Sequence, residues 1–331
     1  MSRAGWILPL VGMACGGGSS DDVEDLLDTG WFTDTAIFDA DNCRHKVHST
    51  FPEPGASDWY WKSPLRIYTE TDRDDAYVTW LLDEAGMPVE LERSWSNAGL
   101  DFELAVPGGL SSSTDYVLHV NDCGSHQEIP FSTSTFGQAL QAGPEALDGK
   151  TYHLDLVDAE WVEPGGIGGL LALYFTTPIL VGVKFANDTS IDFIGGPGEL
   201  DPFGGLQQDL SQTTWDFPLT DFRDAPFFEA RSDGVTFTFQ GLEVEITDFR
   251  LAGTFSADMT ELGGLEMSGL GDSRNLGALL NNEDESAVCE LAQTFGVDCV
   301  ACPDGETLCL FMSARQVTGT LLPDVTMVDR N

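Results

Sequence analysis

Apolar and polar residues alternate with a period of two along much of this chain. Such alternation places successive side chains on opposite faces of a strand. Between residues 43 and 135, seven short candidates of this kind are separated by turn residues: KVHSTF, PLRIYTE, AYVTWLLD, PVELERSW, LDFELAV, DYVLHVND and QEIPFST. Val78, Trp80 and Leu82 alternate with Thr79 and Leu81, and Phe102 and Leu104 alternate with charged or small neighbours. Short strands at this spacing predict a β-sandwich.

A second patterned region begins at residue 137. Tyr152, Leu154 and Leu156 alternate with Thr151, His153 and Asp155. Val235, Phe237 and Phe239 alternate with threonines, and Leu242, Val244 and Ile246 with glutamates. Phe249, Leu251, Gly253 and Phe255 continue the series. With turns expected at Ser232-Asp233-Gly234 and Gln240-Gly241, this predicts an antiparallel meander, of a length that curls toward a barrel. The fold class is therefore mainly β: a sandwich over 41–136, then a larger curled meander over 137–331 with one or two short helices.

One such helix is expected over Glu283–Phe295, with Ala287, Val288, Leu291 and Phe295 facing inward and Gly296 as its stop. The other falls in PGGIGGLLALYFTTPILVGV, residues 164–183, which carries no charge. It is long enough to span a bilayer, but its glycines and Pro178 break a continuous helix. The expectation is a buried helix over about 167–174 and a buried strand over about 179–185. Two readings stand for this segment. It is core, or Ile167, Leu170, Leu171, Leu173, Ile179, Leu180 and Val183 line an apolar cavity.

The first fifteen residues have a different pattern: one positive charge, an apolar run from Ala4 to Ala14, then Cys15. That is a secretory signal pattern. A cysteine at its boundary resembles the lipobox of bacterial lipoproteins, although Gly12 stands where that family usually has leucine. The resemblance implies that Cys15 carries the lipid and begins the mature chain, and Gly16 after it implies the outer membrane. Residues 16–40, rich in Gly, Ser, Asp and Thr, read as a solvated acidic tether. They resemble linkers of secreted myxobacterial lipoproteins.

Within the sandwich, LSSSTDYVLHV at 110–120 resembles the tyrosine-bearing crossover of fibronectin type III and bacterial Ig-like domains, through Leu110, Thr114, Tyr116 and Val120. Ser112 replaces the usual proline. The resemblance implies that Tyr116 pins the crossover through a backbone hydrogen bond, and it implies no catalytic residue. The later domain resembles no family.

There are seven cysteines. With Cys15 lipidated, six remain for three disulfides in an oxidising compartment. The expected pairs are Cys43–Cys123, Cys289–Cys299 and Cys302–Cys309. The last four, at C-x9-C-x2-C-x6-C spacing, also fit a zinc reading, which the secretion signal disfavours.

The formal charge is −40, from 55 acidic and 15 basic residues. This excludes nucleic acid as a partner and disfavours anionic membrane surfaces, leaving the lipid as the only membrane contact. The excess acid serves solubility or captures divalent cations such as calcium, although no ordered ligand loop occurs, and the turn ETDRDD at 70–75 reads as a solvated turn or a calcium site. No other cofactor is implied. His45, His48, His119 and His126 flank the first cysteine pair, so a transition-metal site or scattered surface histidines both fit. No G-x-S-x-G, H-E-x-x-H or P-loop motif occurs. No histidine follows His153, which excludes a histidine-based hydrolase built wholly from later strands.

The reading is a lipid-anchored cell-surface protein, a non-enzymatic structural or interaction module with an Ig-like spacer. Its partner would be a cell-envelope or extracellular protein or glycan. The alternatives are a carrier of a lipid or other apolar ligand, and a surface-glycan hydrolase using paired carboxylates.

Overall fold

The computed structural model describes residues 47–69, 77–96, 99–122, 125–157, 159–165, 177–239, 242–280, 282 and 284–330. Cys15, Cys43, Cys123, the turn at 70–75 and the predicted helix at 167–174 lie outside them.

Among the described residues, nine strands make the first domain: β1 (Val47–Phe51), β2 (Ala56–Trp59), β3 (Leu65–Thr69), β4 (Val78–Asp83), β5 (Pro88–Val89), β6 (Glu92–Trp95), β7 (Asp101–Ala105), β8 (Asp115–Asp122) and β9 (Ser125–Thr133). They form a four-stranded sheet, β1-β3-β7-β6, and a five-stranded sheet, β2-β9-β8-β4-β5. The inward residues of both sheets, Ile67 and Phe102 from one and Leu118 and Ile129 from the other, share one core. The domain is a β-sandwich.

The seven expected strand regions hold, PVELERSW dividing into β5 and β6. The short strand β2, parallel to β9, is an addition. Leu81 is fully buried, whereas Trp80 lies on the outer face and stacks on His119. At the crossover, the Ser111 amide donates to the Tyr116 hydroxyl at 2.9 Å, the contact that the family resemblance implied.

The second domain is one antiparallel sheet, curled into a half-barrel. Its main path runs β14 (Leu206–Gln208), β13 (Ser190–Leu200), β12 (Ile179–Ala186), β10 (Thr151–Asp155), β20 (Cys309–Leu322), β19 (Glu261–Asp272), β18 (Leu242–Phe255), β17 (Phe227–Phe239). Short strands β11 (Glu160–Glu163), β15 (Trp215–Asp216) and β16 (Thr220–Asp221) pair beside it. Phe193, Phe228 and Phe255 cluster inside the curl, with ring centres 4.8 to 6.4 Å apart.

Ser232-Asp233-Gly234 is not a turn. It lies inside β17, paired without interruption of the strand against β18. The apolar series on β18 changes phase, from even positions through Ile246 to odd positions from Phe249. The structure supplies the reason. A bulge at Asp248, whose φ is +51°, inserts one residue between the pairs Thr247–Leu270 and Arg250–Ser268. One extra residue moves every later side chain to the other face.

Helix α1 (Ala287–Thr294) is shorter than expected. Ala287, Cys289 and Ala292 are buried, but Leu291 and Phe295 are exposed. The disulfide Cys289–Cys299 sets this orientation by holding the Cys289 side inward. Cys302 is joined to Cys309 across a turn at Gly305. With all four sulfurs in disulfides, this segment has no thiolate for zinc.

The two domains interlock. Tyr60 lies against Gly264 and Phe136 against Gly263, so closely that any side chain on either glycine overlaps a ring. The Tyr60 hydroxyl and Thr254 Oγ1 are 2.6 Å apart, and the Trp61 indole N–H donates to the same oxygen at 3.3 Å. Trp61 also meets Phe227 edge-on at 6.3 Å. Burial pushes the Tyr60 hydroxyl up to about 12, against the Thr254 hydrogen bond. Gly264 has a φ of +57°, which glycine adopts without strain.

We expect Gly264→Val to lower stability by about 2–4 kcal/mol, through backbone strain and the clash with Tyr60. Calorimetry should then show the two domains melting separately. Wild-type stability in this variant would refute the interlock.

Candidate functional site

Three bulges converge where the domains meet. On β2 an extra residue lies between the pairs Ala56–Phe131 and Trp59–Thr133, where Asp58 has a φ of +63°. On β19 the extra residue falls at Gly263–Gly264. On β20 it falls at Arg315–Gln316, where Gln316 has a φ of +55°. Non-glycine residues at such φ values are strained, and bulges re-aim side chains. Trp59, Gly264, Arg315 and Gln316 all line one cleft of about 230 Å³.

The cleft has an aromatic side and a charged side. Phe51 and Tyr68 pack edge to face, 5.8 Å between centres, with Phe51 43% exposed. Trp59 is held by its indole N–H donating to the Ser63 carbonyl at 3.3 Å. The charged side bridges the domains. Arg66 donates to Glu103 at 2.8 Å and to Glu160 at 3.0 Å. Arg315 lies 3.4 Å from Glu103, and Gln316 donates its amide to Glu160 at 3.3 Å. Glu266 is paired with Arg250 at 3.4 Å. Burial lowers the Arg66 guanidinium, but Glu160 and Glu103 outweigh it and hold the group above its ordinary value. The two arginines and two glutamates of the lining balance in charge. The cleft therefore offers fixed donors and acceptors beside apolar ring faces.

A second cavity lies inside the half-barrel, lined by Leu156, Trp161, Ile179, Val235, Ile246 and Met267 among others. Its volume is about 50 Å³. An engineered apolar cavity that holds one benzene is about 150 Å³, so no lipid fits this space. Of the residues expected to line a cavity, Ile179 does. Leu180 does not, because strand alternation sends it to the opposite face, against Ile194 and Met327. Val183 belongs to the main core. Ile167, Leu170, Leu171 and Leu173 lie outside the described residues.

Of the histidines, His119 and His126 are brought together, Nδ1 to Nε2 at 3.0 Å. His48 lies on β1, in the other sheet, and His45 is outside the described residues. Burial, then the charge of His126, pulls His119 below its ordinary value, against Glu128. The Val47 amide donates to Asp122 at 2.9 Å, tying the start of β1 to the end of β8.

Sequence reasoning missed the cleft. Its residues come from both domains and from bulges, which leave no local spacing. The one available signal was DWYW at 58–61, three aromatics in four positions without strand alternation.

No protein-family model matches the chain, and no curated protein matches it. Among solved structures, the S-layer protein rSbsC is similar over 86% of this chain and 54% of its own, at 8% identity and a TM-score of 0.21. Domains 1–6 of surface layer protein SbsC give 86% and 54%, 10% identity and 0.22. The uncharacterized protein lmo2446 of Listeria monocytogenes EGD-e, in complex with glucose, magnesium and calcium, gives 67% and 20%, 9% identity and 0.16. The chain thus spans about half the length of the S-layer chains it matches. Likeness at these TM-scores carries no weight for function.

The titrating groups give the molecule a pH dependence. Burial holds His153 below its ordinary 6.5, partly opposed by Asp155. A histidine lowered in the folded state contributes fully above 6.5, and its contribution is lost as pH falls from there through its lower folded value. Hydrogen bonds from Arg250 and Arg274 hold Glu229 and Asp272 below their ordinary 4.5 and 3.8. Their contribution is lost as pH falls below those values. Melting temperature should therefore drop as pH falls below about 6.5, and again below about pH 4. His153→Gln should shrink only the upper step, and an unchanged upper step would contradict the assignment.

Proposed function

We propose that this protein is a lipid-anchored, non-enzymatic cell-surface module whose interdomain cleft holds a neutral, hydroxyl-rich segment of an envelope or extracellular glycan. The charge-balanced cleft with its aromatic side carries the reading. Sugar rings pair apolar C–H faces with hydroxyl edges, and this site pairs ring faces with arginine, glutamate and glutamine in the same way. A site between domains, framed by strained bulges, is a recurrent setting for a ligand. The signal-like segment ending at Cys15 supports the anchor, and the acidic tether would hold the domains away from the membrane. The carrier reading is weaker, because the apolar cavity lined by Leu156, Trp161 and Ile179 is too small for a lipid.

The test uses the chain expressed in a bacterium with two membranes. Cys15→Ser should move it from the membrane fraction to the soluble fraction. Purified soluble chain should bind oligosaccharides released from that envelope, and Tyr68→Ala should weaken binding at least about tenfold, as loss of an aromatic contact residue at the centre of a binding site does. Unchanged binding in Tyr68→Ala, or none in wild type, would rule out the cleft. A stoichiometric co-purifying lipid would favour the carrier, and newly released reducing ends would favour a hydrolase.

A further inference from the structure

The outer face of the five-stranded sheet carries a cluster that the cleft does not use. By register, Trp80 on β4 lies opposite His119 on β8, and His119 lies opposite Glu128 on β9. His126 is two residues before Glu128 and so shares its face. The two imidazoles are nearly coplanar, 15° apart, with centres 5.2 Å apart and nitrogens 3.0 Å apart. Such values describe rings lying edge to edge in one layer. The Trp80 indole stacks on both, at 4.8 Å and 4° to His119 and at 5.4 Å and 17° to His126. Ligand atoms of His119, His126 and Glu128 all lie within 4.8 Å of one another.

We propose that His119, His126 and Glu128 bind a single divalent transition-metal ion of the zinc class. The geometry is close to what such an ion needs. Two nitrogens at 2.0–2.1 Å from a tetrahedral ion are separated by about 3.3–3.4 Å. The observed 3.0 Å is a hydrogen bond between facing nitrogens; binding opens it by a few tenths of an ångström and turns the rings so that both lone pairs meet at the ion. His119 is buried, whereas His126 and Glu128 are exposed at the rim of the site. Two imidazoles and a carboxylate suit zinc chemically and leave the fourth position for water or a group from a partner molecule.

The supporting frame is also present. All four side chains project from three adjacent hydrogen-bonded strands, which hold a site more firmly than loops do. The indole covers one side of both rings and fixes their plane, as outer partners of metal ligands commonly do. The formal charge of −40 further raises the local concentration of cations. The disulfide-bonded cysteines at the C-terminal end offer no competing thiolate site.

The test is calorimetric titration of the full chain, stripped with a chelator, with zinc chloride. Wild type should take up one zinc at this site. His126→Gln should weaken that binding at least about tenfold, the loss that even an outer partner of a ligand causes. Its metal-free melting temperature should stay near the wild-type value, because position 126 is exposed and glutamine offers His119 a hydrogen-bonding group in place of the imidazole. Glu128→Gln should weaken binding less. No zinc uptake by wild type, or equal affinity in His126→Gln, overturns the proposal.

Discussion

The contact between Tyr60 and Thr254 holds the rest in place. Thr254 is fully buried in the half-barrel, yet its hydroxyl is met by Tyr60 and Trp61 of the sandwich. A buried hydroxyl without a partner costs about 1–3 kcal/mol. The second domain is thus completed by the first. The same docking explains why β19 carries two glycines in succession at 263 and 264, since the rings of Phe136 and Tyr60 occupy the space of their missing side chains. Once the joint is fixed, so are the positions of Arg66, Glu160 and Arg315, and the cleft between the domains follows.

The distribution of the scarce basic residues agrees with this account. The chain has 15 of them against 55 acids, and several serve two carboxylates at once. Arg66 joins Glu103 to Glu160, Arg250 joins Glu229 to Glu266, and Arg274 joins Asp272 to Asp304. Exposed pairs of this type contribute little stability singly. Their effect here is positional: Arg66 ties strands of different domains, and Arg250 ties neighbouring strands of the half-barrel. The large acidic surplus is left on the surface, while the cleft itself is balanced.

Much of the fold was legible in the sequence because strands write their burial at every second residue. The sandwich strands and the hairpin that joins the later part of β17 to the start of β18 rest on that alternation, the two short-range disulfides on cysteine spacing, and the Tyr116 contact on what the family resemblance implied. Even the bulge at Asp248 left a trace, as a change of phase between Ile246 and Phe249. The errors fell where tertiary contacts override local cues. Ser232-Asp233-Gly234 has turn composition but is held inside a long strand by its neighbours. The face of α1 is set by the disulfide at Cys289 rather than by its apolar spacing. The candidate site was almost invisible, since Phe51, Trp59, Glu160 and Gln316 are distant in sequence and meet only through bulges and docking. His119 and His126, seven residues apart on a hairpin, were the partial exception.

The central claim is that the two domains form one fixed body through the Tyr60 joint. Its most direct test is a distance distribution between spin labels carried by non-cysteine side chains at two exposed positions, Glu84 in the sandwich and Asp188 in the half-barrel. A fixed joint gives one narrow distance in solution. A broad distribution, or two separated distances, would mean that the domains swing freely and that the cleft is not a lasting feature of the protein.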